Sequence, residues 1–223
     1  MHMGKSREAG AGVGRFELER REMIDLLRER GITDEALLAA MGAVDRHEFV
    51  AGPFANRSYD DSALPIGCSQ TISQPYTVAF MTQALEVRPG RRVLEVGTGS
   101  GYQAAILAEM GARVFTIERH MELLTIANQR FEKFGYQIAS KAGDGTIGWK
   151  EYAPYDGIIV TAGAPDVPQP LLDQLAEGGI LVIPTGGTEI QNLAIIRRVN
   201  GRFEGHEAGG FKFVPLIGKK GWR

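Results

Sequence analysis

Between residues 74 and 183, short and continuously apolar runs alternate with helical segments, and few folds accept that alternation. Residues 92–96, 113–117, 157–160 and 180–183 read as strands without a polar face, with a weaker one over 137–141. Helical spacing covers 74–85, 102–110, 121–134 and 169–176. Strands that are apolar on both faces must be covered on both, which predicts a Rossmann-like, doubly wound, mostly parallel α/β sheet. After Leu193 the chain changes character: 193–199 and 211–217 are strand-like and separated by a Gly-rich polar stretch, so a C-terminal antiparallel hairpin is expected.

Upstream, 16–30 carries Leu18, Met23, Ile24, Leu26 and Leu27 between charges, a helical pattern that Gly31 is placed to end. Thr33 is the expected cap of a second helix, with Asp34 and Glu35 at its positive end and the apolar run 36–44 as its buried face. Residues 47–72, punctuated by Pro53, Pro65 and Gly67, read as extended and loop structure, too long for a plain connection and therefore functional. The expected organisation is one domain over 15–223, in which 15–73 is an N-terminal helical extension with a substrate and cofactor loop and 74–223 is the core. Residues 1–14, rich in Gly and charge, read as a disordered leader.

Charge narrows the partners. Twenty-five Lys and Arg against 27 Asp and Glu give a net charge of -2, so no bulk positive field favours nucleic acid. A single cysteine, Cys68, excludes an internal disulfide and reads as a small buried side chain. No apolar run reaches the length of about 18 residues that a membrane span needs, and the opening MHMGKSREAG lacks the core of a signal peptide. A cytoplasmic, monomeric protein without membrane or nucleic-acid partners is expected. None of the four histidines stands at ligand spacing from another His or from Cys68, so no metal is expected.

The strand at 92–96 runs into Gly97, Thr98, Gly99, Ser100 and Gly101. In a doubly wound sheet this turn approaches a ligand most closely. The dinucleotide fingerprint G-x-G-x-x-G is not met: the third glycine comes one residue early, and bulky Tyr102 stands where Gly or Ala belongs. A nucleoside without phosphates fits better than a pyrophosphate. Glu118, at the end of the next strand, is placed to accept hydrogen bonds from both ribose hydroxyls. Asp144 and Gly145 lie at the following strand end, where they either meet an adenine or form an ordinary Asp-Gly turn.

The run RVLEVGTGSGYQAAILAEMGARVFTIER resembles motif I and its acidic successor in class I S-adenosylmethionine-dependent methyltransferases. Together with LPIGCSQTISQPYTVAFMTQAL, DGIIVTAGAPDVPQPLLDQLAEGGILVIPTG and FKFVPLIG, it is similar to the protein-L-isoaspartate O-methyltransferase family over residues 16–218. The resemblance implies S-adenosyl-L-methionine as cofactor, S-adenosyl-L-homocysteine as product, and damaged proteins or peptides carrying L-isoaspartyl, and D-aspartyl, residues as substrates. It implies cofactor contacts from Gln70, Thr71, Ile72, Gly97, Thr98, Gly99, Ser100, Glu118, Arg119, Asp144 and Gly145. Ser73 maps onto the serine regarded as catalytic, with Val214 and Leu216 in a wall flanking the substrate. Family members commonly have Gly-x-Gly-Gln before T-I-S, whereas this chain has Gly67, Cys68, Ser69 and Gln70.

Ser73 precedes Gln74, Pro75 and a helical run, so it reads as an N-cap, and a helix start also attracts anions. Ser73 and neighbouring backbone donors are expected to hold a substrate carboxylate there. A carboxylate is ionised at neutral pH and needs no general base, in keeping with the absence of a Ser-His-Asp or paired-carboxylate pattern. Amino-methylating enzymes place Asn or Asp and two prolines after the fourth strand; here Thr161, Ala162, Gly163, Ala164 and Pro165 follow it. Methylation of RNA or a small molecule, and a noncatalytic nucleotide sensor, are the competing readings. Glu95 either orients the sulfonium end of the cofactor or is a strand carboxylate satisfied by backbone.

Overall fold

The structure, a computed structural model, describes residues 14–50 and 52–223. The leader expected at 1–14 lies outside the described residues except for Gly14, whose carbonyl accepts the Glu17 and Leu18 N–H groups at the start of α1 (Arg15–Glu29). Helix α2 (Glu35–Ala43) is capped by Asp34, whose carboxylate accepts the Leu37 N–H at 3.1 Å. Thr33, the expected cap, instead gives its backbone N–H to the Gln83 side chain at 2.8 Å, tying the loop to a neighbouring helix.

The long segment ahead of the sheet is more ordered than its sequence suggests. It forms two 3-10 turns, Arg46–Phe49 and Gly52–Arg57, and a separate antiparallel pair, β1 (Leu64–Gly67) and β2 (Gln70–Ile72). Helix α3 (Pro75–Ala84) follows with Pro75 at its first turn, where a missing N–H costs nothing. Gln74 occupies the N-cap position and no side chain caps from there, so the expected Ser73 cap is not formed. Asp61, reaching in from the preceding loop, accepts the Tyr76 N–H at 2.9 Å and satisfies one of the donors at that end of the helix.

The remaining elements are β3 (Arg92–Val96), α4 (Tyr102–Glu109), β4 (Arg113–Glu118), α5 (Met121–Phe134), β5 (Ala139–Ala142), β6 (Tyr155–Val160), α6 (Gln169–Asp173), β7 (Leu175–Gly186), β8 (Gln191–Val199) and β9 (Arg202–Phe211). The seven-stranded sheet has the order β5-β4-β3-β6-β7-β8-β9; its first five strands are mutually parallel, and β8 and β9 add antiparallel. Alternate strand residues feed two apolar layers. Val93, Val114, Ile159 and Val182 pack with Met81, Leu107 and Phe131, while Leu94, Ile117, Ile158 and Leu181 pack with Leu171 and Leu175. The continuous apolar strands of the sequence are thereby explained.

Two predicted elements move. The helix expected to reach residue 176 stops at Asp173, because Leu175 pairs with Tyr155 and the Gln174 carbonyl accepts the Tyr155 N–H at 2.9 Å. The hairpin partner of β8 is the Gly-rich stretch itself, β9, turned by Asn200 and Gly201 at φ +50° and +73°. That is the two-residue geometry which Asn-Gly favours. The expected strand over 211–217 is instead an extended strap crossing the strand ends, joined by an isolated bridge between Gly163 and Pro215.

The β1–β2 turn places Cys68 and Ser69 at φ +49° and +56°, the left-handed region that favours glycine. Cys68 is half-buried in this turn rather than buried, its thiol 3.6 Å from the Glu122 carboxylate. Ser69 therefore carries backbone strain where the implied family pattern has glycine. Ser69→Gly should raise unfolding stability by about 0.5–1 kcal/mol, once glycine's greater freedom in the unfolded chain is deducted, as read from urea denaturation midpoints.

Candidate functional site

Strands β4 and β6 flank β3 on opposite sides, so a crevice opens at its carboxyl end, the usual ligand position in such sheets. The turn after Val96 is pinned from both sides. The Gly97 N–H donates to the Ile117 carbonyl at 2.8 Å, and the Thr161 hydroxyl donates to the Gly97 carbonyl at 2.7 Å. With φ +101°, and with Thr161 Oγ1 only 2.4 Å from where a Cβ would stand, position 97 admits glycine alone. Gly101 serves differently: a Cβ there would meet the Phe131 ring at 2.8 Å, so the early third glycine lets α4 pack on α5. Tyr102, freed from the fingerprint's role, is buried against Phe49 and Arg46.

Glu118 joins two turns. One carboxylate oxygen accepts the Gly99 N–H and the other the His120 N–H, each at 2.9 Å. Each oxygen retains a lone pair for a ligand hydroxyl. Beneath them runs a hydroxyl chain: Thr98 and Thr116 lie 2.6 Å apart, and Thr116 donates to Glu95 Oε2 at 2.5 Å. Glu95 Oε1 has no partner among the described residues, although the side chain is fully buried. Burial drives the Glu95 carboxyl from its ordinary 4.5 up to about 8; the Thr116 hydrogen bond works against that rise and the Glu118 charge adds to it. An uncompensated carboxyl at the floor of a cleft is a place for a cation or a donor to land.

The cleft so formed holds about 910 Å³, including the space open to solvent. It gathers Gln70, Thr71, Ile72, Ser73, Gly97, Thr98, Gly99, Ser100, Glu118, Arg119, Gly145, Val214 and Leu216, all but one of the residues singled out from sequence. Asp144 is the exception. Its carboxylate accepts the Thr146 N–H and hydroxyl at 2.9 and 2.6 Å and the Lys219 N–H at 2.8 Å, so its side chain braces the C-terminal strap. Partial burial pushes its pKa up, yet those three bonds outweigh it and hold the group below the usual aspartate value. The strap is also fixed by Gly163, which donates its N–H to the Val214 carbonyl and accepts the Leu216 N–H, both at 2.8 Å, and accepts the Trp222 indole N–H at 3.0 Å.

Several lining residues carry no sequence signal of their own. Val78, Met81 and Gln103 come from α3 and α4, and only the packing of those helices turns them to the cleft. His120 sits directly after Arg119 and was reachable by reading one residue further past β4; Thr161 and Ala162 stand likewise just past β6. Glu95, weighed as a strand carboxylate satisfied by backbone, is not so satisfied.

Comparison with known proteins agrees with this geometry. The family model described as Protein-L-isoaspartate(D-aspartate) O-methyltransferase matches residues 18–221. A Salinibacter ruber protein-L-isoaspartate O-methyltransferase is 52% identical over 214 residues, covering 91% of this chain and 93% of its own. The Chlorobaculum parvum and Dictyoglomus thermophilum proteins of the same name are 53% and 48% identical, over 92% and 93% of this chain and 94% and 95% of theirs. Among solved structures, a protein-L-isoaspartate O-methyltransferase superposes with a TM-score of 0.81 at 27% identity, over 91% of this chain and 67% of that one. A Plasmodium falciparum structure described under the same activity, in complex with S-adenosyl-L-homocysteine, gives 0.79 at 27% identity, over 89% and 98%. The fold, the cleft and these likenesses agree: the chain belongs to the protein-L-isoaspartate O-methyltransferase family.

Proposed function

We propose that the residues gathered in this cleft carry out the family's reaction, transfer of a methyl group from S-adenosyl-L-methionine to the free carboxylate of L-isoaspartyl residues in damaged proteins and peptides. The observation that carries the assignment is the meeting of the T-I-S element, 71–73, and the glycine turn, 97–101, on one cleft. The bare turn, the spare lone pairs of Glu118 and the orphaned oxygen of Glu95 fit an adenosyl group bearing positive charge at its other end. When bound, the cofactor supplies an electrophilic methyl on a sulfonium. Gln70 to Ile72, Gly97 to Ser100, Glu118, Arg119 and Gly145 would hold it; for Asp144 we assign a brace of the strap in place of a nucleoside contact.

Methyl transfer is an in-line displacement in which no proton is lost, since the acceptor, a carboxyl with a pKa of about 3.5, is already an anion. The protein's tasks are therefore alignment and exclusion of water. Ser73 holds the acceptor, and Val214 and Leu216 wall it off from solvent. The resulting ester closes to a succinimide with loss of methanol, and hydrolysis returns part of the damaged residue to normal aspartate. We further propose a single domain over 15–223, acting as a cytoplasmic monomer without membrane or nucleic-acid partners. No helix among the described residues is long and apolar enough to cross a membrane. A sequence read by backbone kink and carboxylate gives weak preference for flanking side chains, and RNA lacks the carboxylate altogether.

Labelled methyl transfer to matched peptides with isoaspartate, aspartate or D-aspartate, with transfer RNA alongside, tests the assignment. Base-labile label should appear on the isoaspartyl peptide and not on RNA; label on RNA alone would overturn the reading. Ser73→Ala should lower kcat/KM by roughly 100-fold while S-adenosyl-L-homocysteine affinity holds, the scale of losing one positioned donor at a reacting group.

A pH dependence follows from Glu95. The folded protein keeps a proton that the unfolded chain gives up near 4.5, so this group's contribution to stability declines as pH rises from about 4.5 to about 8. Glu95→Gln should remove that slope, visible as a wild-type minus variant Tm difference that falls over this interval. A cofactor bringing positive charge to the cleft favours the ionised form. Its binding at pH 7 should then release protons, read as a buffer-dependent heat that the variant lacks.

A further inference from the structure

Arg46 is fully buried, and among the described residues it forms no ion pair. Its Nε donates to the Ser58 carbonyl at 2.6 Å and one terminal nitrogen to the Ser73 carbonyl at 2.8 Å; the other terminal nitrogen has no partner. The guanidinium lies 4.8 Å from the Tyr102 ring centroid, and the buried Tyr102 hydroxyl is unpartnered too. The nearby carboxylates are committed elsewhere: Asp45 to Arg20, Asp61 to Arg30 and to the Tyr76 N–H. Burial disfavours the cation and pushes its pKa down, with the Tyr102 hydroxyl and the Asp61 charge acting the other way. A fold that retains such a group one layer behind Ser73 and Tyr102, which both line the cleft, keeps an unspent positive charge beside the acceptor position.

The contact with Ser73 also sets a direction. A trans peptide places its C=O and N–H on opposite sides, so holding the Ser73 carbonyl toward Arg46 turns the Gln74 N–H away from it and polarises that donor. The Gln74 N–H has no acceptor among the described residues, whereas the Tyr76 N–H is taken by Asp61. Anion binding at the start of α3 thus has less of the helix end to draw on than the sequence implies, and more need of a fixed cation.

We infer that Arg46 is a positioning residue for the acceptor, its buried charge selecting an ionised carboxylate and orienting the Ser73–Gln74 peptide to receive it. This deepens the isoaspartyl reading and rests on it. The test uses full-length enzyme loaded with S-adenosyl-L-homocysteine, so that no turnover occurs. Two peptides are compared by calorimetry: one with isoaspartate, one with that free carboxylate converted to a carboxamide. Arg46→Met should cut the carboxylate-over-carboxamide affinity ratio at least 10-fold while S-adenosyl-L-homocysteine affinity changes less than about 3-fold, and Arg46→Lys should keep most of the ratio. A folded Arg46→Met protein with the wild-type ratio would overturn the inference, since a purely structural arginine would weaken both peptides equally. Should that variant not fold, the wild type decides: a buried charge is poorly screened, so the ratio should persist from roughly 0.05 to 0.5 M salt. Its collapse toward one would assign the selection to exposed cations and refute the role. Failure of the wild type to prefer isoaspartyl over aspartyl peptide is a different outcome, and counts against the functional reading itself.

Discussion

Three parallel strands end level: Val96 pairs with Ile117 on one side and with Val160 on the other, and the cleft hangs from that edge. Because β3 is held by both neighbours, the chain beyond Val96 has only one way out, up and over the strand ends. Gly97 makes the exit by taking a conformation that a side chain would forbid, under a hydroxyl from Thr161 that leaves no room for one. Glu118 then fixes the far side of the turn through Gly99. Each of these groups comes from a different strand end, so the geometry of the turn depends on sheet register, and a slip in register would lose all of them together.

Elements with strong local signals were readable without coordinates. The strand over 92–96, the helix over 121–134 and the glycine turn follow from apolar runs and punctuation, and they are where the sequence puts them. The misplaced hairpin strand shows what hides an element. β9 carries Gly205, Gly209 and Gly210 and is exposed along most of its length, so it has neither β propensity nor an apolar face; only the Asn-Gly turn betrayed it. The helix cap at 73–75 failed for another reason. Asp61 takes the Tyr76 N–H of that helix end from 15 residues upstream, a tertiary contact that local pattern cannot contain. Asp144 was correctly placed at a strand end, but its carboxylate is spent on a strap 75 residues later.

Electrostatics divides the cleft into two ends. Glu95 and Glu118 stand on the floor by the glycine turn, where a positively charged donor is favoured. Behind Ser73 lies the buried Arg46 guanidinium, which forms no ion pair among the described residues, while Asp45 and Asp61 pair with Arg20 and Arg30. A positively charged donor and an anionic acceptor, bound as proposed above, would thus each be drawn to the end that suits it. Burial raises the pKa of the floor carboxyl to about 8, which disfavours an unpaired buried charge there.

The outer rim of the sheet has its own implication. β9 is a terminal strand, ten residues long, with one side unclaimed by any strand among the described residues. Glu204, His206 and Glu207 project from this rim, glycines loosen it, and an irregularity opposite Asn192 and Leu193 disturbs its spacing. These are features by which natural sheets repel stray strands. An edge so built is a poor template for a further strand.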